Sequence, residues 1–371
     1  MGAHVVIVGA GYAGVMAAKR LLHKPTDITV TVVNPRRHFV QRIRLHQMIA
    51  GNYDVTVPLE AALPPQATLV IATVTRIDTA TNHLILEDRD TLPYDYLVYA
   101  PGSHHTGSTV TGAATHGFAV SEYEDAVRLK SRLTTLPTDA AITVVGGGLT
   151  GIETAAELAE SRTGRTTLVT GSEIAPELSK KARSRIAGAL TALDIRIVSG
   201  SRVVRIDEKS CTLDDGRTIA TDCAVLATEF GVPELARRSG LPVDGRGRLQ
   251  VNRHLECTTH PNIVGAGDAM VISDLSLRMS CQAAIPLGVH AAETVELRLQ
   301  GATPTPVIPK FVGQCISLGR SQAVFQRTTR SDVAARLVVS GRSGAFVKEG
   351  ICLSTTLLGI TRDRGFFYSW V

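Results

Sequence analysis

The feature that most constrains the fold is a glycine-rich turn between an apolar strand and a helix. Its first copy follows the apolar run at 4–8 and contains Gly9, Gly11 and Gly14. In such a turn the first glycine permits a tight reversal, the second lets the backbone approach a pyrophosphate, and the third lets the helix pack on the strand. A second strand, predicted at 28–33, completes a strand-helix-strand unit and strengthens the prediction of a dinucleotide site.

The same turn occurs again at 141–156, where Gly146, Gly148 and Gly151 separate another apolar strand from another helix. A further strand is predicted at 166–170. One copy alone is also typical of proteins in which the glycines only let a helix pack closely and bind nothing. Two copies in matched contexts favour ligand binding. The sequence therefore predicts an α/β protein with two Rossmann-like dinucleotide-binding domains.

The matched context extends beyond the two turns. Hairpins are predicted at 73–87 and 202–219, with turns near 78–82 and 214–216. After each hairpin comes a buried strand introduced by an aspartate, Asp95 in the first copy and Asp222 in the second. This order predicts that one architecture occurs twice in the chain.

A third signal is a short apolar strand that ends in Gly265, Gly267 and Asp268. A carboxylate at the end of a strand can accept hydrogen bonds from the hydroxyls of a long polyol cofactor. The alternative is an aspartate that caps the following helix. With two nucleotide turns upstream, we favour the ligand role.

Composition supports buried parallel strands and shows an uneven charge. Apolar residues make up 44% of the chain but aromatic residues only 4%, so the core is built from Val, Ile, Leu and Ala. Residues 306–371 carry nine Lys or Arg and three acids, a balance of +6, so the rest of this +5 chain sums to −1. A nucleic-acid-binding surface is therefore disfavoured, whereas contact of the basic C-terminal face with an anionic membrane stays open.

Other classes are disfavoured by what the sequence lacks. It has no run of about 18 apolar residues uninterrupted by glycine, so no membrane-spanning helix is expected. The apolar start at 5–8 has no basic segment before it, unlike a secretory signal. Six cysteines form no CxxC or CxxxxC pair, which predicts reduced thiols and no metal site. We expect a cytoplasmic protein, peripheral on the inner face of the membrane if its C-terminal segment binds lipid.

The order of these motifs resembles the flavoproteins with two dinucleotide-binding domains, which are similar to pyridine nucleotide-disulfide oxidoreductases. More specifically, the chain resembles the type II NAD(P)H:quinone oxidoreductases. The matching stretches are 8–14 (VGAGYAG), 33–39 (VNPRRHF), 45–47 (LHQ), 148–153 (GLTGIE), 281–284 (CQAA) with Gly288, and 315–320 (CISLGR). They span nearly the whole chain, and the resemblance weakens after about residue 348.

The resemblance implies an FAD site at the first turn and an NAD(P)H site at the second. Asn34 stands where many relatives have an acid on the adenosine ribose. One arginine among Arg36, Arg37, Arg42 and Arg44 is expected to reach the cofactor. The implied FAD contacts are Gly9, Gly11, Tyr12, Ala13, Gly14, Asn34, Pro35, Arg36, Val74, Gly102, Asp268, Gln282 and Ala284, and the implied NAD(P)H contacts are Gly146, Gly148, Leu149, Thr150 and Gly151.

Glu153 is the catalytic residue that the resemblance implies. In the family this glutamate lies between nicotinamide and flavin and assists hydride or proton movement. The alternative is a carboxylate that only stabilises the start of its helix. Lys348 matches a family lysine near the flavin only loosely, and we expect it to be a solvated surface residue.

The sequence departs from the family pattern at two functional positions. The quinone motif of the family has a second glutamine where this chain has Pro286. The strand at 166–170 ends without the acid that would favour NADH, so NADPH is admitted. Lys180, Lys181 or Arg183 would then be phosphate partners, although a basic solvated helix face is the commoner meaning of such a run.

The C-terminal end is also shorter than the amphipathic membrane-binding segment usual in the family. Aromatic residues beside Arg362 and Arg364 would suit a membrane interface, but we favour packing of this tail on the body or on a partner subunit. We expect an FAD domain at 1–115 and 245–305, an NAD(P) domain at 116–244, and an α+β cap at 306–371 that faces a membrane or a second copy.

These observations predict an FAD-dependent NAD(P)H dehydrogenase that passes a hydride to flavin and then two electrons to a quinone or a quinone-like acceptor. One alternative is an oxidoreductase for a specialised metabolite or a redox carrier protein, which Pro286 would suit. Another is a signalling flavoprotein of the apoptosis-inducing-factor kind. The absence of a redox cysteine pair disfavours a disulfide reductase.

Overall fold

The structure is a computed structural model, and it describes residues 2–24, 27–105, 107–228, 230–360 and 370. The strands of the first third are β1 (His4–Val8), β2 (Thr29–Asn34), β3 (His38–Val40), β4 (Thr56–Pro58), β5 (Thr68–Ile71), β6 (Val74–Asp78), β7 (His83–Leu86), β8 (Thr91–Pro93), β9 (Tyr96–Tyr99) and β10 (His104–His105). Those of the middle are β11 (Gly117–Ala119), β12 (Ile142–Val145), β13 (Thr166–Thr170), β14 (Arg196–Ser199), β15 (Val203–Asp207), β16 (Ser210–Leu213), β17 (Thr218–Ala220), β18 (Cys223–Leu226) and β19 (Phe230–Gly231). The last are β20 (Leu249–Val251), β21 (Ile263–Gly265), β22 (Met270–Ile272), β23 (Gly313–Ser317), β24 (Ala323–Thr328) and β25 (Ala334–Ser340).

The helices connect and cover these strands. They are α1 (Tyr12–Leu21), α2 (Leu45–Ile49), α3 (Leu59–Ala62), α4 (Ala113–His116), α5 (Tyr123–Thr135), α6 (Leu149–Ser161), α7 (Lys180–Ala192), α8 (Leu235–Arg238), α9 (Cys281–Leu299) and α10 (Gly341–Leu353). Short 3₁₀ turns lie at Arg42–Arg44 and Gly267–Ala269, and α10 continues into a π-helical segment, Ser354–Ile360. No helix in the described part of the chain is both long and apolar enough to cross a bilayer.

Two five-stranded parallel sheets form the centre of the molecule. The first has the order β21-β9-β1-β2-β5 and the second the order β11-β18-β12-β13-β14. In both sheets the strand before the glycine turn lies in the middle, and its apolar side chains are buried on both faces, as parallel sheets covered by helices require. The predicted α/β class with two Rossmann-like units is confirmed.

Each parallel sheet is accompanied by an antiparallel sheet of three strands. The first hairpin, β6 and β7, turns between Asp78 and His83 as predicted, and β8 extends it. The second prediction placed one turn at 214–216. That turn joins β16 to β17, but another at 208–209 precedes it, so the segment forms three strands instead of two.

The C-terminal segment is a three-stranded antiparallel sheet, β23-β24-β25, with α10 packed on it. The α+β prediction for this segment is confirmed. Its position matters for function, because Ile316, Leu318 and Val324 belong to the same apolar core as helix α6 of the second sheet.

Helix α2 also belongs to that second core, although it lies early in the chain. Leu45, Met48 and Ile49 pack among residues of α5 and α6 and not with the first sheet. Three distant parts of the sequence therefore meet at one place: the segment after the first turn, the helix after the second turn, and the C-terminal sheet with α10.

Candidate functional site

The first glycine turn has the backbone geometry of a pyrophosphate site. Gly9 has a φ of +96°, and its N–H donates to the Val33 carbonyl over 2.8 Å, so the turn crosses the carboxyl ends of β1 and β2. A Cβ atom at Gly14 would lie 1.8 Å from the Gly9 carbonyl oxygen, which leaves no room for a side chain there. A Cβ at Gly11 would meet no heavy atom within 4 Å. The space beside Gly11, at the start of α1, fits a ligand phosphate.

The second turn repeats this geometry position by position. Gly146 has a φ of +125°, and its N–H donates to the Val169 carbonyl over 2.9 Å. A Cβ at Gly151 would lie 1.9 Å from the Gly146 carbonyl oxygen, whereas one at Gly148 would again meet nothing within 4 Å. Leu149 and Thr150 form the first turn of α6, next to this space. The predicted NAD(P)H contacts therefore surround a second open space of the same kind. The space beside Gly11 is called the first cradle below, and the space beside Gly148 the second or NAD(P)H cradle.

Two polar side chains beside the first turn are arranged to support a ligand. The Asn34 amide oxygen accepts a hydrogen bond of 2.9 Å from the Ala10 N–H, and its amide nitrogen donates to the Arg36 carbonyl over 2.8 Å. The buried hydroxyl of Tyr12 has no hydrogen-bond partner among the described residues. Burial raises the pKa of Tyr12 well above its usual range, so it stays a neutral donor. An unpartnered buried hydroxyl beside an open cradle fits FAD at this turn.

The predicted flavin contacts from distant segments meet at the same edge of the first sheet. A Cβ at Gly267 would lie 3.1 Å from the Cβ of Ala13 and 3.8 Å from that of Ala284. The Asp268 carboxylate accepts a hydrogen bond of 2.7 Å from the Ser103 hydroxyl, next to Gly102. Asp268 lies in the first turn of a 3₁₀ segment that has no side-chain cap, so the alternative of a capping aspartate is not realised.

Three further predicted FAD contacts lie at either end of that edge. Val74 begins β6 close to Asn34, since the Ala72 N–H donates to the Asn34 carbonyl over 3.2 Å. Pro35 follows Asn34 and is exposed. At the other end, the amide oxygen of Gln282 accepts a hydrogen bond of 3.5 Å from the Val312 N–H, so it contacts the C-terminal segment.

The arginines after the first turn are held by the protein itself. Arg36 forms ion pairs with Glu122 at 3.2 Å and Glu124 at 2.6 Å. Arg42 donates to the carbonyl of Ser103 over 2.8 Å, and the hydroxyl of the same serine makes the hydrogen bond to Asp268. Arg42 also pairs with Glu122 at 3.0 Å, so its guanidinium lies beside the sheet edge and is held there by the protein.

The centre of the site is a buried ion pair between Glu153 of α6 and Lys348 of α10. The Lys348 ammonium donates to the Glu153 carboxylate over 2.7 Å. The same carboxylate oxygen accepts from the Ser317 N–H of β23 over 2.9 Å. The Ser317 hydroxyl bridges Glu153, at 3.2 Å, to Nε2 of His46 on α2, at 3.1 Å. Four side chains from four distant elements thus form one network.

The charge states of this network follow from burial and from the pair itself. Burial alone would raise the pKa of Glu153, but the Lys348 ammonium, followed by His46, holds it below its usual range. Burial would lower the pKa of Lys348, but Glu153 raises it well above its usual range. For His46, burial dominates and lowers the pKa to about 4. At neutral pH the network is a carboxylate, an ammonium and a neutral imidazole.

The prediction that Lys348 is a solvated surface residue is therefore wrong. Its exposed fraction is 8%, and it lies in the ion pair with Glu153. The sequence carries a weak signal for this burial, since Gly344, Lys348 and Cys352 repeat at four-residue spacing and form the buried face of α10. The pairing itself joins residues 195 positions apart, which no local pattern reveals.

Beside this network lies an open cavity of about 350 Å³ between α2, β23, β24 and α10. Lys348 and Ser317 form its inner wall, and Phe346 and Arg342 its outer rim. Gln47, next to His46, also lines it. The cavity thus gives a ligand direct access to the partners of Glu153.

Pro286, where the family motif has a glutamine, is buried within α9, and the helix continues through it. It offers no side-chain hydrogen bond at this position. Of the two glutamines in the family motif, this chain therefore has only Gln282.

The basic residues expected to bind a phosphate of NADPH are not all available for that role. Arg183, one of the expected phosphate partners, forms an ion pair of 2.6 Å with Glu173. Lys180 and Lys181 begin α7 behind its cap, Ser179. Of the C-terminal tail, residues 361–369, with Arg362 and Arg364, lie outside the described residues. Trp370 is buried, and its ring centroid lies 5.0 Å from that of Phe311, so this residue packs on the body.

The two cradles, one on each parallel sheet, fit a protein that works with two dinucleotides. The chain belongs to the pyridine nucleotide-disulphide oxidoreductase family, whose model matches residues 3–293. It is an FAD-dependent NAD(P)H oxidoreductase.

Curated relatives support this assignment. An NADH dehydrogenase-like protein of Mycobacterium tuberculosis is 31% identical over 313 residues, which cover 77% of this chain and 78% of that protein. The type II NADH:quinone oxidoreductase Ndh of the same organism is 26% identical over 344 residues, covering 81% and 73%. The resemblance to type II enzymes that the motifs suggested is confirmed.

Among solved structures, that of NDH2 from Plasmodium falciparum in complex with NADH has the same fold. It superimposes with a TM-score of 0.83 at 15% identity, over 99% of this chain and 97% of that one. At this identity the similarity establishes the fold and leaves function to the site residues.

Proposed function

We propose that the protein oxidises NAD(P)H through bound FAD and passes two electrons to a quinone or a quinone-like acceptor. The observation that carries this proposal is the buried pair of Glu153 and Lys348. Glu153 lies on the helix that follows the NAD(P)H cradle, and its partner Lys348, on α10, lines a cavity that a planar acceptor can enter.

The names of relatives support the same acceptor class. One relative, from M. tuberculosis, is named a type II NADH:quinone oxidoreductase. Another, from Synechocystis, is named a demethylphylloquinone reductase and is 26% identical over 348 residues. Both names describe enzymes that act on quinones. The cysteines support it indirectly, since burial raises the pKa of Cys281 to about 12 and that of Cys315 to about 11. Thiols in that state do not supply the thiolate that disulfide exchange needs.

In this mechanism FAD, when bound, accepts a hydride and gives up electrons in pairs. The protein positions the reactants and supplies a proton to the acceptor. The two open cradles hold the pyrophosphates of the two dinucleotides. Glu153 keeps Lys348 protonated in an environment that would otherwise strip the proton from it. Lys348, on the cavity wall, can donate a hydrogen bond or a proton to an acceptor oxygen. His46 stays neutral and orients Ser317, which in turn holds Glu153 in place.

Reduction of a quinone to a quinol takes up two electrons and two protons. NAD(P)H supplies both electrons and one proton as a hydride, and solvent supplies the second proton. The Lys348 ammonium, next to an exposed cavity of about 350 Å³, is the described cation best placed to pass that second proton to the acceptor. Its own proton is then replaced from water in the open cavity.

The missing second glutamine of the motif favours one alternative acceptor. Because Pro286 removes an amide that the type II pattern places near the quinone, we propose a specialised small acceptor as the second candidate. In that case reduction of the flavin would be rapid with NAD(P)H, but common quinones would reoxidise it slowly.

The domain division that we propose has an FAD domain at 1–115 and 245–305, an NAD(P) domain at 116–244 and a C-terminal cap at 306–371. The separate parallel sheets support it. We further propose that the cap contacts an anionic membrane and keeps the protein peripheral on the inner face. Support comes from α10, where Phe346 is 82% exposed and Arg342 precedes it by one turn on the same side. A homodimer through this face is the competing outcome.

The test of the activity is the stoichiometry of the purified yellow protein with a soluble quinone. We expect one quinol formed for each NAD(P)H consumed, with oxygen excluded. NAD(P)H oxidation that proceeds without quinol formation would overturn the quinone assignment. For the cap, cosedimentation with anionic vesicles should fall in a Phe346→Glu variant, and analytical ultracentrifugation should show whether a dimer dissociates instead.

A further inference from the structure

We propose that Arg202 binds the 2′-phosphate of an adenine dinucleotide and makes this protein select NADPH over NADH. The inference deepens the proposed function, on which it rests, by naming the donor that the second cradle takes. It concerns the end of β13, where the adenosine ribose of a dinucleotide lies in a Rossmann-like fold.

The backbone at this position brings two loops together. Strand β13 ends at Thr170, and the loop after the neighbouring strand β14 crosses directly beside it, because the Ser201 N–H donates to the Thr170 carbonyl over 3.3 Å. Arg202 is the next residue. Since β13 and β14 are parallel, both loops leave from the carboxyl edge of the sheet, which is also the edge of the Gly148 cradle.

The side chain of Arg202 lies against Gly171, the first residue after β13. A Cβ at Gly171 would lie 2.8 Å from Cγ of Arg202 and 3.0 Å from its Nε. The strand-end position that carries a ribose-binding acid in NADH-selective folds is Thr170 here, since Val169 matches Val33 and Thr170 therefore matches Asn34. A side chain at the next position, Gly171, would collide with the stem of Arg202, so glycine there lets a cation lie beside a strand end that lacks the acid.

The nearby charges leave the guanidinium available. Glu173, the acid closest in sequence to the end of β13, is 71% exposed and is paired with Arg183. Asp214 accepts a hydrogen bond of 3.0 Å from the backbone N–H of Arg202, and Asp215 is paired with Arg217. Within the described ranges, the Arg202 guanidinium forms no ion pair, and the side chain is exposed.

These features match a phosphate better than a diol. An arginine presents two N–H groups in a plane that suits two phosphate oxygens, and such charge-assisted bonds are about twice as strong as neutral ones. NADH would leave the guanidinium without a partner, whereas NADPH would pair it.

The test compares binding of 2′,5′-ADP and 5′-ADP to the FAD-loaded protein by isothermal titration calorimetry. We expect 2′,5′-ADP to bind about 10- to 100-fold more tightly, the range that one charged hydrogen-bonding group contributes. Arg202→Ala should remove most of that ratio and leave the affinity for 5′-ADP unchanged. Arg196→Ala is the matched control, because Arg196 is an exposed arginine at the opposite end of β14.

Equal affinity of the wild-type protein for the two probes would overturn the inference. An Arg202→Ala variant that weakens both probes equally would also overturn it, because the residue would then act only on local structure. Gly171→Glu gives an independent check, since it should displace Arg202 and lower the ratio toward one.

The binding assay involves neither flavin reduction nor an acceptor, so it separates this inference from the proposed function. If 2′,5′-ADP binds preferentially but neither dinucleotide reduces the flavin, the proposed function fails and the role of Arg202 stands. If both dinucleotides reduce the flavin equally well and the probes bind equally, Arg202 has no role in selection and the oxidoreductase activity stands.

Discussion

Replacing Lys348 with methionine would leave the Glu153 carboxylate buried without its main compensating charge. Methionine keeps the length of the side chain and removes the ammonium that lies 2.7 Å from Glu153. Breaking a buried ion pair by removing one partner typically costs about 3–5 kcal/mol. Both side chains here are about one-tenth exposed, so we expect a cost within that range at pH 8. An exposed lysine on α7, Lys181, gives the matched control, and Lys181→Met should cost less than about 0.5 kcal/mol.

The pH dependence provides the sharper part of this prediction. In the native protein the pKa of Glu153 is depressed, so the ion pair contributes stability above the unfolded-state pKa of about 4.3 and loses it as the pH falls through the depressed value. Without Lys348, burial raises the pKa of Glu153, and the penalty disappears once the carboxyl is protonated. The difference between wild type and Lys348→Met should therefore be larger at pH 8 than at pH 5.

The assay is urea unfolding at both pH values with saturating FAD, followed by near-UV circular dichroism. A double variant, Glu153→Gln with Lys348→Met, should recover much of the loss, since no uncompensated charge remains. A Lys348→Met variant as stable at pH 8 as Lys181→Met would refute the buried ion pair. A larger destabilisation at pH 5 than at pH 8 would refute the assigned charge states.

Four further substitutions test the site. Gly11→Val should fill the first cradle and release FAD, measured as loss of the yellow colour after gel filtration, whereas Gly148→Val should keep FAD and raise the KM for NAD(P)H at least 10-fold. Both variants losing FAD equally would contradict the assignment of the two cradles. Glu153→Gln should retain FAD and lower kcat about 10- to 100-fold, in the range of a proton-transfer group, and full activity with every acceptor would exclude that role. Tyr12→Phe should weaken FAD binding by about 1 kcal/mol in equilibrium dialysis if its hydroxyl donates to the cofactor, and unchanged affinity would show that it does not.

The parts of the structure that the sequence predicts well are those set by local backbone requirements. Gly9, Gly14, Gly146 and Gly151 are demanded by positive φ or by carbonyl oxygens within 2.8 Å of a Cβ, and the motif states those demands directly. The strand-turn-helix units and their parallel sheets follow from them.

The parts that the sequence does not predict are contacts between distant segments. Lys348 is charged, so its residue type favours exposure and outweighs the weak signal of its helical spacing, and only its partner Glu153, 195 residues away, makes burial favourable. The same holds for His46, whose position depends on α2 packing in the core of the second sheet. Arg202 was missed because its closeness to Gly171 comes from the pairing of β13 with β14.

The most direct test of the account is a double-mixing stopped-flow experiment under anaerobic conditions. The bound flavin is first reduced with one equivalent of NADPH and then mixed with a soluble quinone, while the visible absorbance of the flavin is followed. We expect rapid loss of the absorbance and its full return with the quinone in a single two-electron phase, at least as fast as turnover. A flavin that stays reduced with quinones but is reoxidised by a one-electron acceptor would contradict it.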